Sequence, residues 1–231
     1  MNMDNKIQIN AAGKIFSTDK QDVVALQDID LSIGANEFVT FVGASGCGKS
    51  TLLRCIGGLE TLSSGEIRVN DKTVQSPGVD RAMVFQNYSL YPWLSVVDNI
   101  KFSRRLKVNR EGATSSEVEV ASGRADALLS LMGLEHDAKA YPNQLSGGMQ
   151  QRVSIARALF PKPEILLMDE PFGALDAQTR EVMHDLILPL FHLKKTTIVF
   201  MTHAVEEAIS LGQRIVLMAA RSRRTDTMSV L

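Results

Sequence analysis

Cysteine is scarce in this chain, and its scarcity limits the class of protein to which the chain can belong. The 231 residues include two cysteines, Cys47 and Cys55. One pair cannot provide the disulfide framework of a small secreted domain. Cys47 also lies in a glycine-rich segment that a disulfide would distort. We therefore expect both residues to be small, buried or half-buried thiols without a catalytic role.

Long apolar runs are also absent. The best candidates are residues 165–168 and 186–191, whereas a helix needs about 20 apolar residues to cross a bilayer. The N-terminal segment MNMDNKIQIN has acidic and amide residues where a signal peptide would need an apolar stretch. These two absences predict a cytoplasmic protein.

The chain has no surplus of basic residues. Its 25 Lys and Arg residues are balanced by 26 Asp and Glu residues, and the formal net charge is −1. Domains that bind nucleic acid usually carry a basic surplus, so we expect no nucleic-acid partner. The hydrophobic share of 45% and the charged share of 22% are ordinary for a soluble globular protein. The length suffices for one large core or two closely packed lobes.

Two kinds of strand pattern predict the fold class. Near the N-terminus, KIQINAAGKIF, VALQDIDLSI and then EFVTFVG alternate apolar and polar residues, which indicates a mixed or antiparallel lobe. SGEIRVNDKTV predicts a hairpin that turns near residues 70–71. Later, EILLMDEP, TTIVFMTH and RIVLM are apolar strands separated by helices. The later pattern indicates a mainly parallel sheet buried on both faces. The predicted class is therefore α/β, with a mixed or antiparallel β lobe beside a mainly parallel sheet.

The middle of the chain has a helical pattern. It runs from Val97 to Leu134, with a polar interruption, NREGATSSEVE, that predicts a mobile surface loop. Residues 149–159 predict another helix, which the prolines after it stop. Pro189 interrupts the later helical run HDLILPLFHLKK, and it predicts a kink or a break there.

The segment FVGASGCGKST carries the first chemical signal. Gly43, Gly48, Lys49 and Ser50 complete the pattern G-x-x-x-x-G-K-[ST] between a strand and a helix. Glycines let the backbone turn tightly so that successive N–H groups point at an anion, and the helix adds the positive end of its dipole. Lys49 supplies a charge to the β- and γ-phosphates, and the Ser50 hydroxyl can bind Mg²⁺. The predicted nucleotide-binding residues are Gly43, Ala44, Ser45, Gly46, Cys47, Gly48, Lys49, Ser50 and Thr51.

Two carboxylates follow the apolar strand ILLM. Ligands of such sheets lie at the carboxyl ends of the strands, which is where Asp169 and Glu170 stand. Asp169 can hold a hydrated Mg²⁺ through water, and Glu170 can act as the general base for an attacking water. The plainer alternative is a capping pair, or surface acids that follow a core strand.

The segment LSGGMQQR, residues 145–152, offers a second place for an anion. Gly147 and Gly148 expose backbone N–H groups at the start of the helix, and Ser146 adds a hydroxyl. The plainer alternative is a helix cap alone. Together with the phosphate loop and LLMDEP, this segment resembles the nucleotide-binding subunits of ATP-binding cassette transporters, over roughly residues 7–218.

The resemblance implies a domain plan and further site residues. One P-loop NTPase domain spans residues 1–231, with a RecA-like core and antiparallel β lobe at about 1–86 and 161–231 and an α-helical signature subdomain at about 87–160. Gln86 would bind Mg²⁺ or the attacking water, Asp176 would belong to the family's D-loop and take part in nucleotide binding, and His203 would contact the γ-phosphate. Phe16 would stack on adenine, although an aromatic residue in such a strand is commonly part of a core.

The same resemblance implies partners. It implies a head-to-tail homodimer that holds each ATP, with Mg²⁺, between the phosphate loop of one subunit and the LSGG segment of the other. It also implies a membrane permease that docks near residues 88–93, an external solute-binding protein that acts indirectly, and a place on the inner face of the cell membrane. The chain would then be an ATPase that couples hydrolysis to transport.

The stretch SPGVDRAMVFQNYSLYPWLSVVDNI resembles the importer branch for nitrate, taurine and aliphatic sulfonates. Ala204, which follows His203, stands where the family commonly has aspartate. Two other hypotheses stay open at this point. One is a soluble single-cassette ATPase that serves an assembly process, and the other is a nucleotide switch without hydrolysis, against which Glu170 and His203 both argue.

Overall fold

The fold comes from a computed structural model that describes residues 5–17, 21–111, 115–194 and 196–219. It divides into two units, Met1–Met83 with Glu164–Glu170 and Leu188–Leu231, and Val84–Pro163 with Pro171–Ile187. The strands are β1 (Asn5–Ser17), β2 (Asp22–Gly34), β3 (Phe38–Val42), β4 (Ser64–Val69), β5 (Lys72–Thr73), β6 (Arg81–Val84), β7 (Ile165–Asp169), β8 (Thr197–Thr202) and β9 (Arg214–Leu217). The α-helices are α1 (Lys49–Gly57), α2 (Val96–Glu111), α3 (Ser115–Leu131), α4 (Gly147–Leu159), α5 (Ala177–Lys194) and α6 (Val205–Leu211).

An antiparallel sheet in the first unit is built from the alternating strands. Its strand order is β2–β1–β4–β5. Ile7 and Ile9 are buried, as is Ile67 on β4, because residues two apart point to the same face. The β4–β5 turn holds Asn70 and Asp71 at φ angles of 49° and 60°, as a tight hairpin turn requires. The predicted β lobe and its hairpin are therefore confirmed.

The second sheet of this unit is parallel where its register is defined, with the order β6–β7–β8–β3–β9. Every residue of β3, β7 and β8 is buried, and α1 and α6 pack against these strands. The parallel sheet predicted from the apolar strands is confirmed. The strand in EFVTFVG was expected beside the antiparallel strands, and that expectation was wrong. Its segment Phe38–Val42 lies between β8 and β9, with the hydroxyl of Thr40 bonded to the Ala208 carbonyl at 3.2 Å.

Helices dominate the second unit. Helix α2 packs against α3 and α4. Ile100, Leu128 and Val153, one from each of these helices, are buried in the interior of the unit. The mobile loop predicted over residues 109–119 is wrong over most of that range. Helix α2 continues through Glu111 and α3 begins at Ser115, while residues 112–114 lie outside the described residues. Polar residues such as Glu and Arg have high helix propensity. The polarity of this segment was therefore not sufficient evidence for a loop.

Of the two outcomes predicted at Pro189, a kink or a break, the break is wrong and the kink stays a prediction. Helix α5 continues through this proline to Lys194. Pro189 is exposed, so water can bond to the carbonyl that loses its intrahelical partner. Within the described residues, no helix combines the length and the apolar character needed to cross a membrane.

Gly58 tests the fold at the end of α1, where the sequence pattern also predicts a helix end. Its φ is 73°, and an added Cβ would lie 2.3 Å from the Ser76 carbonyl oxygen. Gly58→Ala should therefore lower the free energy of unfolding by about 2 kcal/mol or more. Gly123→Ala on the exposed surface of α3 is the control, because a Cβ there meets no atom within 4 Å. The control should stabilise the chain by roughly 0.5–1 kcal/mol, and urea unfolding midpoints measure both changes.

Candidate functional site

The glycine loop joins β3 to α1 and has the backbone shape of an anion cradle. Gly46 and Gly48 have φ angles of 80° and 98°, which only glycine adopts without strain. An added Cβ at Gly43 would lie 2.3 Å from the Met218 carbonyl oxygen, so this glycine is also required by packing. No side chain caps α1, whose N-cap residue is Gly48. The first N–H groups of α1 are therefore available to an anion at the positive end of the helix.

Lys49 is buried in this loop although it carries a charge. Only 3% of the residue is exposed. Its Nζ donates to the carbonyl oxygens of Gly43 at 2.7 Å and Ala44 at 3.1 Å, and it lies 3.4 Å from Glu170 Oε1. These oxygens compensate for the lost hydration of a buried cation. The ammonium group is thus fixed at the mouth of the loop, where an incoming phosphate can bind it.

Ser50 and Asp169 meet at the ends of α1 and β7. The Ser50 hydroxyl donates to Asp169 Oδ1 at 2.7 Å. Burial raises the pKa of Asp169, while the hydrogen bond from Ser50 opposes that rise. Hydroxyl and carboxylate oxygens are the ligands that Mg²⁺ prefers, and the two atoms are close enough to share one cation. Among the described residues, no group of three His, Cys, Asp or Glu side chains could hold a metal, so a cation here would need phosphate and water oxygens as further ligands.

Glu170 and His203 lie together at the same edge of the parallel sheet. His203 Nδ1 is 3.1 Å from Glu170 Oε2, and the histidine side chain is 58% exposed. Glu170 has a φ of 44°, a left-handed conformation that is strained for any residue with a Cβ. Its N–H donates to the Met201 carbonyl at 2.9 Å, which holds the turn in place. The structure therefore brings together the lysine, the serine, both carboxylates and the histidine that the sequence singled out.

Phe16 lies near the end of β1, with 37% of the residue exposed. It pairs across the sheet with Val23, and Lys14 pairs with Leu26. Leu26 lies against the glycine loop, because an added Cβ at Gly48 would be 3.0 Å from the Leu26 side chain. The strand that carries Phe16 is thus attached to the phosphate loop through its neighbour β2.

The LSGG segment belongs to the second unit and begins α4. Ser146 is the N-cap residue, and its hydroxyl accepts from the Met149 N–H at 3.3 Å. The capping role that sequence offered as the plainer alternative is therefore real. An added Cβ at Gly147 would lie 2.8 Å from the Tyr88 hydroxyl, and one at Gly148 would lie 2.4 Å from Thr179 Cγ2. Close packing against Thr179 therefore favours a glycine at position 148, whereas a Cβ at position 147 would displace the end of the Tyr88 side chain.

Asp176 and Gln86 also belong to the second unit. The Thr179 N–H and hydroxyl donate to Asp176 at 2.9 and 2.7 Å, and these bonds lower the pKa of the carboxyl group. Asp176 is therefore the helix-capping residue of α5, a role that its position before that helix could have revealed. Gln86 is exposed and lines a cavity of about 410 Å³ together with Tyr88, Leu90 and Gln150.

Sequence reasoning missed the residues that shape the turn before α6. The buried Thr202 hydroxyl donates to Glu207 Oε2 at 2.6 Å and accepts from the Ala204 N–H at 3.0 Å. The hydroxyl thus satisfies a backbone N–H at the turn, as Ser and Thr side chains commonly do. A polar residue at the end of an otherwise apolar strand was the available signal.

A glycine loop with a buried lysine, opposite two carboxylates at the ends of parallel strands, defines a P-loop nucleoside triphosphatase. A sequence model described as ABC transporter matches residues 26–173. The chain belongs to the ABC transporter family. The prediction made from LSGG and its companion motifs is thereby confirmed, and the chain is one of the ATP-binding, ATP-hydrolysing cassettes of that family.

Relatives of known name are similar over most of the chain. The nitrate import ATP-binding protein NrtD of Synechocystis sp. is 46% identical over 93% of this chain and 78% of its own length. The aliphatic sulfonates import protein SsuB of Bacillus subtilis is 40% identical over 93% and 80%. The taurine import protein TauB of Rhizobium johnstonii is 46% identical over 87% and 74%.

A solved structure agrees with the fold. It is the dimeric ATP-binding cassette MJ0796 in a post-hydrolysis state bound to ADP and Pi, with a TM-score of 0.81 and 32% identity. The match covers 94% of this chain and 97% of that one. The predicted α/β ABC ATPase fold is confirmed by this likeness.

Replacing Lys49 tests the phosphate site. Lys49→Met keeps most of the side-chain volume but removes the buried charge, so we expect ADP affinity to fall at least about 100-fold. Lys6→Met is the matched control, because Lys6 also pairs with a carboxylate, that of Glu164, at the opposite end of β7. The control should leave ADP affinity within about twofold, as measured by calorimetry. Equal losses in both variants would mean that Lys49 acts only through stability.

Proposed function

We propose that this protein is the ATP-hydrolysing subunit of an importer, and that it drives a small solute through a separate permease. The observation that carries the proposal is the cluster of Lys49, Asp169, Glu170 and His203 at one edge of the parallel sheet. The importer names of the similar proteins support transport over a soluble assembly role. Their solutes, which are nitrate, aliphatic sulfonates and taurine, make a small oxyanion the best candidate for the cargo.

The proposed chemistry uses Glu170 as the general base. Its carboxylate accepts a proton from a water, whose oxygen attacks the γ-phosphorus while the bond to the ADP oxygen breaks. His203, 3.1 Å from the carboxylate, holds that water and the γ-phosphate in line. Lys49 neutralises charge on the β- and γ-phosphate oxygens throughout the reaction.

Ser50 and Asp169 are proposed to hold Mg²⁺ beside the phosphates. The ion would supply further charge neutralisation for the β- and γ-phosphates. The chain's own contribution is the arrangement of Ser50 and Asp169, whose oxygens already lie 2.7 Å apart. Burial disfavours the charged form of Asp169, and a bound cation would offset that cost.

The LSGG segment is proposed to act in trans. Ser146, Gly147 and Gly148 stand at the N-terminus of α4, whose dipole favours a negative charge. In a head-to-tail dimer, this end of one protomer would contact the γ-phosphate bound to the other, with Asp176 at the same interface. ATP would then hold the dimer closed, and hydrolysis would open it.

The permease is proposed to dock on the surface around Tyr91 and Trp93. The Trp93 side chain belongs to a residue that is 69% exposed, and its ring lies 5.6 Å from that of Tyr91. Tyr91 also packs on Phe102 and lies under the Arg157 guanidinium, which donates to the Ser89 carbonyl at 2.7 Å. An exposed aromatic residue on a rigid base is typical of an interface hot spot.

Glu170→Gln tests the general base. We expect kcat for ATP hydrolysis to fall by about 10²–10⁴, because glutamine cannot accept the proton. ATP should stay bound, and the chain should elute as a dimer from a sizing column in its presence. Glu164→Gln at the other end of β7 is the control and should hydrolyse ATP at the normal rate. If Glu170→Gln also hydrolysed ATP normally, the assigned base would be wrong.

Trp93→Ala tests the docking surface. Since the side chain is exposed, the isolated subunit should keep its fold and its basal ATPase rate. In vesicles that contain the permease and the binding protein, solute uptake should fall at least about tenfold. Val79→Ala is the control, because Val79 is an apolar residue that is 86% exposed and lies in the other unit. Unchanged uptake by Trp93→Ala would place the permease elsewhere.

A further inference from the structure

Lys14 is a buried lysine outside the phosphate site. It lies on β1, and 8% of the residue is exposed. Its Nζ donates to Glu60 Oε1 at 2.7 Å and to the Thr61 carbonyl at 2.7 Å. The Lys14 ammonium lowers the pKa of Glu60. A lysine held by two oxygens in this way has a fixed head group, unlike a lysine in solvent.

The same ammonium lies over an aromatic ring. Lys14 Nζ is 4.9 Å from the centroid of Phe16, within the range of a cation–π contact. The two residues are two apart on one strand and therefore share a face of the sheet. The Lys14 ammonium therefore occupies one face of the Phe16 ring, while 37% of the residue as a whole is exposed.

Lys14 also connects the strand of Phe16 to the helix of the phosphate loop. Glu60 and Thr61 follow the C-terminal end of α1, and α1 begins at the glycine loop with Lys49. Two further hydrogen bonds join this segment to β1. The Ser63 N–H donates to the Gly13 carbonyl at 2.8 Å, and the Ile15 N–H donates to Ser63 Oγ at 3.0 Å.

We propose that Lys14 is a positioning residue for adenine, which holds the Phe16 ring from its buried side so that the open side can stack on the base. The inference rests on the proposed nucleotide site, and specifically on adenine stacking by Phe16. The fixed cation restricts the ring and so reduces the entropy lost when the base binds. It also draws the electron density of the ring toward itself, which favours stacking with the electron-rich purine on the opposite face.

The simpler alternative is that Lys14 only joins two segments of the fold. In that case its loss would affect every ligand of the α1 loop alike, through stability. Adenine positioning instead predicts an effect confined to ligands that carry the base. ADP and inorganic pyrophosphate separate the two cases, since both offer phosphates to Lys49 and only ADP offers a base.

The test compares ADP and pyrophosphate binding by calorimetry for the full chain and four variants: Lys14→Met, Lys14→Arg, Phe16→Ala and the double variant Lys14→Met/Phe16→Ala. Phe16→Ala should weaken ADP binding about tenfold and leave pyrophosphate unchanged. Lys14→Met should weaken ADP binding about three- to tenfold and leave pyrophosphate within twofold. Lys14→Arg should restore most of the ADP affinity, because a guanidinium also stacks on aromatic faces.

The double variant decides whether Lys14 acts through Phe16. It should bind ADP no more weakly than Phe16→Ala alone, because the ring that Lys14 positions is already gone. Multiplied losses, equal losses for ADP and pyrophosphate, or normal ADP binding by Lys14→Met would each overturn the inference. Should Lys14→Met not fold, Glu60→Gln replaces it, because Glu60 is the half-buried partner of Lys14. This variant should lose less ADP affinity than Lys14→Met and should still bind pyrophosphate normally.

Failure of the inference can be told apart from failure of the proposed function. If the unaltered chain bound neither ADP nor pyrophosphate, the nucleotide site itself would be wrong. If the unaltered chain bound both ligands and Phe16→Ala changed neither affinity, adenine stacking by Phe16 and the role of Lys14 would be wrong. The phosphate site would still be supported.

Discussion

A buried cation at the end of a parallel sheet is the interaction on which this site depends. Lys49 is held by two carbonyl oxygens of its own loop and by Glu170, and almost none of it reaches solvent. A charge in that position is costly unless oxygens surround it. The start of the loop therefore folds back on the lysine, and Gly46 and Gly48 take left-handed conformations between that point and α1.

The pairing of β7 with β8 maintains the strained backbone conformation of Glu170. The residue must leave β7 and turn at once, and its φ of 44° records that turn. It stays there because β7 and β8 are in register, Asp169 beside Met201, so that the Met201 carbonyl receives the Glu170 N–H. The carboxylate is thus held beside His203 by the sheet rather than by a loop. Strain held by a rigid neighbour keeps a catalytic group in place.

The sequence predicted what depends on local pattern and missed what depends on distant pairing. The glycine loop and the carboxylates after β7 follow from short-range chemistry, and the structure brings them together. The position of Phe38–Val42 within the parallel sheet could not be predicted, because the sequence of a short strand does not identify the strands that it pairs with. The helical pattern of this region was predicted, but its continuation into residues 109–111 and 115–119 was missed because polar residues do not exclude a helix. The polar Thr202 at the end of an apolar strand was a visible signal, but its hydrogen bond to Glu207 depends on the fold and could not be read from the sequence.

The contact between Lys14 and Glu60 illustrates why distant pairing matters for function. The spacing of Lys14 and Phe16 on one strand does not by itself indicate a shared role. Once Glu60 is seen to follow α1, the same helix has the phosphate loop at its start and the partner of Lys14 beyond its end. If Phe16 stacks on adenine as proposed, the α1 segment would connect both ends of the nucleotide, with the phosphates at its N-terminus and the base near the partner of Lys14. Helix α1 and the three residues after it therefore form the short covalent connection between Lys49 of the phosphate loop and Glu60, the partner of Lys14.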